Sequence, residues 1–345
     1  MHIHGGDIYT YQNMLDFSAN INPLGLPASV VQAAAKAAAE SAVYPDPMCR
    51  ELKAALADYW QVPAKNIVCG NGAADIIFQL ALAALPKRAL LIAPGFHEYE
   101  QALRAVGCEI EYFYLTEEDG FCLTEKYLSA LHDGLDMLFI CNPNNPTGLA
   151  VPRELLLAVL EKCRSLNIRM VVDECFNEFL DAPQDYTLLP ELAANPHLFI
   201  LKAFTKIYAM PGLRLGYGFC ASAGLLAQMS AVCQPWSVSV PAQAAGVAAL
   251  KEQEYVEKAR ALVSAERARL LTGLSVLGCQ TYGSMANYIF FKSRPGLAEA
   301  CREHQLLLRD CSNYVSLCEG YYRCAVKMPQ ENDRLLAVLS QVLAD

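Results

Sequence analysis

The chain has 345 residues, of which 54% are hydrophobic and 18% charged, enough for one large core and a second, smaller one. Its formal net charge of −9 argues against broad electrostatic binding to nucleic acid or to an anionic membrane. The 14 cysteines and six histidines are scattered without a Cys-x-x-Cys pair, so we expect no metal site. No apolar stretch approaches the roughly 20 residues that span a bilayer. The first residues lack the apolar segment of a signal peptide, and with free thiols we expect a cytoplasmic protein.

Short apolar runs alternate with helical segments through the first 250 residues. Residues 1–27 are rich in glycine, asparagine and proline and predict an extended arm rather than a packed element. Helices are predicted over 30–41 and 50–59. The predicted strands show little polar alternation, which is typical of strands buried on both faces of a mainly parallel sheet. They cover residues 67–69, 90–93, 110–113, 137–141, 170–173, 199–201 and 215–219.

The pattern changes after about residue 250. A long amphipathic helix is predicted over 252–277, and strands over 287–292 and 322–326 are each followed by helical sequence. We therefore predict an α/β protein whose large domain has a mainly parallel seven-stranded sheet flanked by helices, with a smaller α+β C-terminal domain. The predicted boundaries are 1–27 for the arm, 28–250 for the large domain and 251–345 for the small domain.

The segment from Thr205 to Tyr217 places a lysine and an arginine just after a predicted strand. Lys206 and Arg214 are eight residues apart, with a Pro-Gly pair between them. An amine held at a strand end can form a Schiff base with an aldehyde, and a guanidinium can hold a phosphate. Pyridoxal 5′-phosphate (PLP) carries both groups, so the segment suggests this cofactor. The alternative is an exposed lysine and arginine on an ordinary loop.

Other candidate residues also follow predicted strands. Asp173 ends an apolar strand and could face a protonated ring nitrogen, although it could equally be a helix N-cap. Asn145 could donate to a ring oxygen or simply belong to a turn. Phe96 could stack on a flat ring or pack in the core. Gly72 and Ala73 precede an apolar helix, whose N-terminal amides could cradle a phosphate.

In this order, the motifs resemble the fold-type I PLP enzymes, especially the histidinol-phosphate aminotransferase-like group. The resemblance covers nearly the whole chain. Its motifs are Gly72-Ala73-Ala74, Pro94-Gly95-Phe96, Asn144-Asn145-Pro146-Thr147-Gly148, Asp173-Glu174, Thr205-Lys206 and Gly212-Leu213-Arg214-Leu215-Gly216-Tyr217.

The resemblance implies a role for each matching residue. As catalytic residues, Lys206 would form the Schiff base with PLP and Asp173 would pair with its ring nitrogen. The other implied cofactor contacts are Gly72, Ala73, Ala74, Phe96, Asn145, Thr205, Arg214 and, reaching into the neighbouring subunit of a homodimer, Tyr44. The implied substrate contacts are Arg323 for the carboxylate, Arg309, and His4 and Asn20 on the arm.

The resemblance becomes narrower at the N-terminal end. His4-Gly5-Gly6 and residues 16–25 are similar to those members that decarboxylate L-threonine O-3-phosphate to (R)-1-amino-2-propanol O-2-phosphate in cobalamin biosynthesis. Phe176 stands where many aminotransferases of the group have a tyrosine, which agrees with a decarboxylase. Three functions stay open: this decarboxylase, with L-serine O-phosphate as a possible second substrate; an aminotransferase of the histidinol-phosphate type; and a non-catalytic PLP-fold binding protein.

Two lysines depart from the pattern of the group. Lys202 and Lys327 stand where related chains often have arginine, which implies looser phosphate recognition at either position. Lys202 is also a rival for the Schiff base. Lys206 is preferred because it alone has the eight-residue spacing to Arg214.

Overall fold

The strands of the computed structural model, which describes residues 4–344, form three sheets. In chain order they are β1 (Leu15–Asp16), β2 (Ile67–Gly70), β3 (Arg88–Ala93), β4 (Glu109–Tyr114), β5 (Met137–Cys141), β6 (Arg169–Asp173), β7 (Leu198–Ala203), β8 (Gly216–Cys220), β9 (Gln280–Thr281), β10 (Tyr288–Lys292), β11 (Leu306–Leu307), β12 (Arg309–Asp310) and β13 (Tyr321–Ala325).

Helices separate most of these strands. They are α1 (Ala28–Ala39), α2 (Arg50–Trp60), α3 (Ala73–Ala84), α4 (His97–Ala105), α5 (Arg153–Leu166), α6 (Phe204–Ile207), α7 (Ala223–Val232), α8 (Val240–Ala249), α9 (Gln253–Val276), α10 (Leu297–Glu303) and α11 (Pro329–Ala344). Within residues 4–344, no helix combines the length and the apolar character that crossing a membrane requires.

The large sheet has seven strands in the order β2-β8-β7-β6-β5-β3-β4. The five strands from β3 to β7 run parallel, whereas β8 is antiparallel to both β7 and β2. The connection from β7 to β8 contains one helix, the single turn α6. Parallel neighbours usually need a longer crossover, so this short connection agrees with the antiparallel pairing of β7 and β8. Strands β5 and β7 are buried along their whole length. The unbroken apolar sequence of β5 predicts this burial, whereas β7 also carries Lys202. The predicted seven-stranded, mainly parallel sheet is therefore confirmed.

A four-stranded antiparallel sheet, in the order β12-β13-β10-β9, follows in the C-terminal part of the chain. Arg323 on β13 pairs with Phe290 on β10 and, on its other side, with Arg309 on β12. The two arginines therefore lie side by side on neighbouring strands. The apolar side of the long helix α9 supplies buried residues including Val256, Val263 and Leu270. This part has the α+β character expected from the sequence. The boundaries at 27/28 and 250/251 stay a prediction.

The N-terminal segment is more firmly packed than the sequence suggests. Strand β1 pairs in parallel with β11, and Phe17 is fully buried. The amide of Phe17 donates to the carbonyl of Leu307 at 2.9 Å. The expectation of an arm without packed elements is wrong for residues 15–22. A two-residue strand has no readable periodicity, and its partner lies nearly three hundred residues further along the chain.

Candidate active site

A cavity of about 240 Å³ opens at the carboxyl edge of the large sheet. Its wall includes residues that follow β2, β3, β5, β6 and β7, because the carboxyl ends of parallel strands meet at one edge. The small sheet and the N-terminal segment close the other side. The predicted residues that line it are His4, Asn20, Ala73, Ala74, Phe96, Asn145, Asp173, Thr205, Lys206, Arg214, Arg309 and Arg323.

Lys206 lies on α6, the single helical turn that directly follows β7. Burial lowers the pKa of its amine to about 8, and the positive charges of Arg323 and Arg214 act in the same direction. Its Nζ lies 5.6 Å from the centre of the Phe176 ring. An amine that loses its proton near neutral pH is a nucleophile suited to attack an aldehyde.

Asp173 is buried at the carboxyl end of β6 and keeps two hydrogen bonds. Its Oδ2 accepts the hydroxyl of Tyr99 at 2.6 Å, and its Oδ1 accepts the amide of Cys175 at 2.9 Å. Burial and the charge of Asp173 hold the pKa of Tyr99 well above its usual value, so this hydroxyl remains a donor. The carboxylate is thus held in place and borders the cavity, where it can face a cationic ring nitrogen.

The segment before α3 has the close packing expected of a phosphate cradle. Gly72 has φ +90°, and a Cβ at this position would lie 2.5 Å from a guanidinium nitrogen of Arg214. Gly216 on β8 would likewise place a Cβ 2.5 Å from the amide nitrogen of Ala73. Both glycines are needed for this approach, which brings the Arg214 side chain to the N-terminus of α3.

The side chain of Asn145 is held by residues of the C-terminal part of the chain rather than by its own turn. Its Oδ1 accepts hydrogen bonds from Arg323 Nη1 and from the hydroxyl of Tyr314, the latter at 3.2 Å. Because the oxygen is occupied, the amide of Asn145 can direct its N–H donors elsewhere. The second guanidinium nitrogen of Arg323 donates to the carbonyl of Ser18 at 2.9 Å.

The same serine ties the N-terminal residues to the cavity. The amide of Gly6 donates to Oγ of Ser18 at 2.7 Å. A Cβ on Gly5 would lie 2.2 Å from the carbonyl oxygen of Ser18, so only glycine fits there. This packing positions His4, whose Nε2 lies 3.4 Å from Oε1 of Glu98. Arg323 therefore supports the arm through Ser18 as well as bordering the cavity.

Several buried polar atoms around the cavity have no partner among the described residues. They are Oε2 of Glu98, Oδ1 of Asn20, Nε of Arg309 and Nε of Arg323. Buried polar groups in native proteins are normally satisfied, and unpaired ones mark places that a ligand or water can complete. Together with the amine, the held carboxylate and the glycine cradle, the cationic side chains of Arg309 and Arg323 fit a polar, anionic aromatic group such as PLP.

Phe96 and Phe176 supply flat apolar surfaces to the cavity. Phe96 packs edge-on against Tyr99, with ring centres 5.4 Å apart, and Phe176 packs edge-on against Tyr288 at 5.0 Å. Because phenylalanine has no hydroxyl, position 176 offers no hydrogen bond to a ring oxygen.

Lys202 and Lys327 have no place in the cavity wall, so the expectation of looser phosphate recognition there is wrong. Lys202 is fully buried and pairs with Glu174 at 3.1 Å and Glu178 at 3.2 Å. Burial alone would lower the pKa of Lys202, but the two carboxylates raise it above its usual value. Lys327 pairs with Glu331 at 3.3 Å. The choice of Lys206 over Lys202 agrees with this geometry.

Tyr44 lies outside the cavity of its own chain. It is 77% exposed and stacks on Trp236 with ring centres 4.5 Å apart. A contact with the site of a second subunit requires that second chain, so this role stays a prediction.

Sequence reasoning missed four cavity or support residues. Tyr99 and Glu98 read as ordinary residues of the first turn of α4, where acids are common in any helix. Tyr314 lies in an irregular segment without a motif, whereas Ser18 belongs to the resembling segment 16–25 but was given no role there. The available signals were the position of Glu98 and Tyr99 within three residues of Phe96, and that of Ser18 two residues before Asn20.

The fold and the site define a class of protein. A family model for aminotransferase class I and II matches residues 12–339, and the chain belongs to this family. It is 41% identical to threonine-phosphate decarboxylase of Salmonella typhimurium, over 99% of this chain and 96% of that protein. It is 32% identical to histidinol-phosphate aminotransferase 1 of Cupriavidus pinatubonensis, over 96% of this chain and 88% of that protein.

A solved structure shows the same architecture. The histidinol-phosphate aminotransferase of Clostridium acetobutylicum superposes with a TM-score of 0.90 at 30% identity, covering 96% of this chain and 99% of that one. The chain is an enzyme, and its cofactor is pyridoxal 5′-phosphate, as the sequence predicted.

Proposed function

We propose that the chain decarboxylates L-threonine O-3-phosphate to (R)-1-amino-2-propanol O-2-phosphate, a step of cobalamin biosynthesis. The observation that carries this proposal is the 41% identity, over nearly the full length of both chains, to a threonine-phosphate decarboxylase. The identity to a histidinol-phosphate aminotransferase is lower, at 32%. Phe176, which lacks the hydroxyl common in aminotransferases of the group, supports the same choice.

We assign the site residues by their positions in the cavity. Lys206 would bind the aldehyde carbon of PLP, and Asp173, held by Tyr99, would pair with the ring nitrogen. Asn145 would donate to the ring oxygen and Phe96 would stack on the ring. The cofactor phosphate would be held by Thr205, Arg214 and the amides that follow Gly72, namely those of Ala73 and Ala74.

The substrate would lie between the arm and the small sheet. When bound, PLP withdraws electrons from the α-carbon of an amino acid, which makes either decarboxylation or proton loss feasible. The residues that hold the carboxylate therefore decide the outcome. Arg323 already donates to Asn145 and to the Ser18 carbonyl, so it has fewer free donors for a planar, bidentate carboxylate clamp. Arg309, His4 and Asn20 complete the substrate side.

We also propose a homodimer in which Tyr44 reaches the cofactor phosphate of the partner subunit. Exposed apolar residues cluster near it in the sequence, including Val43 at 67% and Met48 at 50% exposure. Aromatic and apolar side chains of this kind are enriched in the buried centre of interfaces. A cytoplasmic location remains a prediction. It is supported by the 14 cysteines, which are all free thiols within the described residues.

The test is incubation of the PLP-loaded enzyme with L-threonine O-3-phosphate. We expect release of CO2 in equal amount to the amine phosphate, with no keto acid. L-Serine O-phosphate, which lacks one methyl group, is assayed in parallel. The ratio of kcat/KM for the two substrates gives the contribution of that methyl group to specificity, which we expect to be about 1–3 kcal/mol. Glutamate formed from 2-oxoglutarate and histidinol phosphate, without CO2 from phosphothreonine, would instead establish the aminotransferase. Absence of turnover with every amine would leave only the binding protein.

A further inference from the structure

Tyr314 is a buried phenol in the wall of the cavity, on the irregular segment that joins β12 to β13. The carbon at the centre of the Arg309 guanidinium lies 5.2 Å from the centre of its ring. Its backbone is held as well, because the amide of Tyr314 donates to the carbonyl of Cys311 at 3.0 Å and its carbonyl accepts the amide of Leu317 at 3.1 Å. The hydroxyl of Tyr314 is therefore fixed at one place beside Asn145.

This hydroxyl closes a triangle of hydrogen bonds with Asn145 and Arg323. Nη1 of Arg323 donates to Oδ1 of Asn145 and, at 3.4 Å, to the hydroxyl of Tyr314. A guanidinium has no acceptor, so the hydroxyl oxygen receives this bond. The phenol proton is then donated to Oδ1 of Asn145, which lies 3.2 Å away.

The groups around the phenol leave its proton in place. Burial has the largest effect and raises the pKa of Tyr314. The thiol of Cys311 and the carboxyl of Glu98 act in the same direction, whereas the guanidinium groups of Arg323 and Arg309 oppose it. Tyr314 is therefore a neutral donor.

Two donors on one side decide how the amide of Asn145 is oriented. The oxygen of an amide only accepts hydrogen bonds, and its NH2 group only donates them. A reversed amide would set its NH2 against the Arg323 guanidinium, donor against donor, so Oδ1 faces Arg323 and Tyr314 and Nδ2 points away from them. Because Asn145 lines the cavity, Nδ2 is the end left for a ligand there. Hydrogen bonds in a chain also polarise one another, so donation to Oδ1 strengthens the N–H groups as donors.

We propose that Tyr314 is a positioning residue whose hydroxyl, together with Arg323, holds the amide of Asn145 with Nδ2 directed at the ring oxygen of the cofactor. This inference rests on the proposed function, which assigns Asn145 to that oxygen. Phe176 has no hydroxyl to offer there, so Asn145 is the side chain assigned as its donor. Tyr314 thus tunes the cofactor ring through Asn145.

The experiment is a pH titration of the PLP-loaded enzyme without substrate, followed by the absorbance of the bound cofactor. The proton shared by the ring oxygen and the Lys206 nitrogen of the Schiff base is released at a midpoint that a hydrogen bond to the ionised oxygen lowers. Tyr314→Phe weakens that hydrogen bond, so its midpoint should lie above that of the wild type by about 0.3–1 pH unit. Asn145→Ala, which removes the donor, should raise the midpoint by at least as much. An unchanged midpoint in Tyr314→Phe overturns the inference.

A double variant shows whether Tyr314 acts through Asn145. In the Asn145→Ala background, Tyr314→Phe should leave the midpoint where it is, because the amide that the hydroxyl positions is gone. A shift of the same size in both backgrounds would mean that the hydroxyl acts through Arg323 or on the ring itself, and this result overturns the inference.

The matched control is Tyr288→Phe, the same substitution beside the same turn. The hydroxyl of Tyr288 donates to the backbone carbonyl of Asn144 at 2.8 Å and makes no hydrogen bond to the amide of Asn145. Its midpoint should equal that of the wild type. A rise as large as that of Tyr314→Phe would assign the effect to general loosening of the turn and would also overturn the inference.

The proposed function and the role of Tyr314 fail separately. A wild-type enzyme that releases no CO2 from L-threonine O-3-phosphate overturns the decarboxylase, whatever the midpoints are. A midpoint in Asn145→Ala that equals that of the wild type overturns the assignment of Asn145 to the ring oxygen. A midpoint that rises in Asn145→Ala but not in Tyr314→Phe overturns only the role of Tyr314.

Discussion

The hydroxyl of Tyr99 donates to Oδ2 of Asp173 across 2.6 Å, joining the first turn of α4 to the carboxyl end of β6. The ring of Tyr99 also stacks on Phe139 of β5, with centres 4.7 Å apart. Packing of the ring therefore helps to fix the phenol independently of its hydrogen bond. Through this contact, a residue outside the recognised motifs orients the carboxylate that we assign to the cofactor ring.

Removing this hydroxyl should weaken the hold on the cofactor. In Tyr99→Phe, Oδ2 of Asp173 loses its donor, and hydrogen bonds to charged groups contribute about 1.5–3 kcal/mol. We expect the affinity for PLP to fall about ten- to a hundredfold, measured by absorbance titration of the apoprotein. Tyr127→Phe is the matched control, because the buried hydroxyl of Tyr127 has no partner among the described residues. A Tyr99→Phe variant that binds PLP as tightly as this control would contradict the prediction.

The amine of Lys206 should titrate near pH 8 in the cofactor-free protein. Its pKa lies below the ordinary value of 10.5, so the reactive neutral amine increases as the pH rises through about 8. We expect the rate of PLP capture, followed by absorbance from pH 6 to 10, to rise through this midpoint and level off above it. Lys206→Ala gives the background rate.

Replacing Arg323 should shift that midpoint upwards. The Arg323 guanidinium is the second cause of the lowered pKa of Lys206, after burial, and Arg323→Gln removes its charge. The midpoint of the capture rate should therefore move above pH 8. A midpoint that stays in place, or moves down, would show that the guanidinium does not act on the amine.

The glycine cradle should be intolerant of a side chain for a reason beyond backbone strain. Gly72→Ala places a Cβ 2.5 Å from the Arg214 guanidinium and should displace it, lowering the affinity for PLP by about tenfold or more. Gly107→Ala is the control, because Gly107 also has a positive φ, +76°, but nothing lies within 4 Å of its Cβ. Both variants place an alanine at positive φ, so equal PLP affinities would contradict an effect of the contact with Arg214.

Lys202 should matter to stability. Lys202→Met leaves Glu174 and Glu178 buried without their cation, and breaking a buried ion pair costs about 3–5 kcal/mol. The loss should appear as a lower midpoint in urea unfolding of the holoenzyme. Lys258→Met, which removes an exposed pair with Glu254, should change the free energy of unfolding by less than about 0.5 kcal/mol. A stable Lys202→Met variant would contradict the assignment.

Local patterns sufficed for the large sheet and for most of the site. The strand over Met137–Cys141 was predicted with its observed bounds, because an unbroken apolar run between polar turns has few other solutions. Lys206, Asp173 and Asn145 were found because each lies at the end of such a strand or within a few residues after it. Their convergence follows from topology, since parallel strands end at the same edge of the sheet.

The sequence by itself determined the fold class, the family and the cofactor, because these depend on contiguous motifs and on hydrophobic periodicity. Only the tertiary structure decided that Tyr99 holds Asp173, that Ser18 links Arg323 to the arm, and that Lys202 is a buried ion-pair partner. Each of these contacts joins residues far apart in the chain, with Ser18 and Arg323 separated by 305 positions. Such pairings have no local pattern, because the choice of partner is made by packing of distant elements.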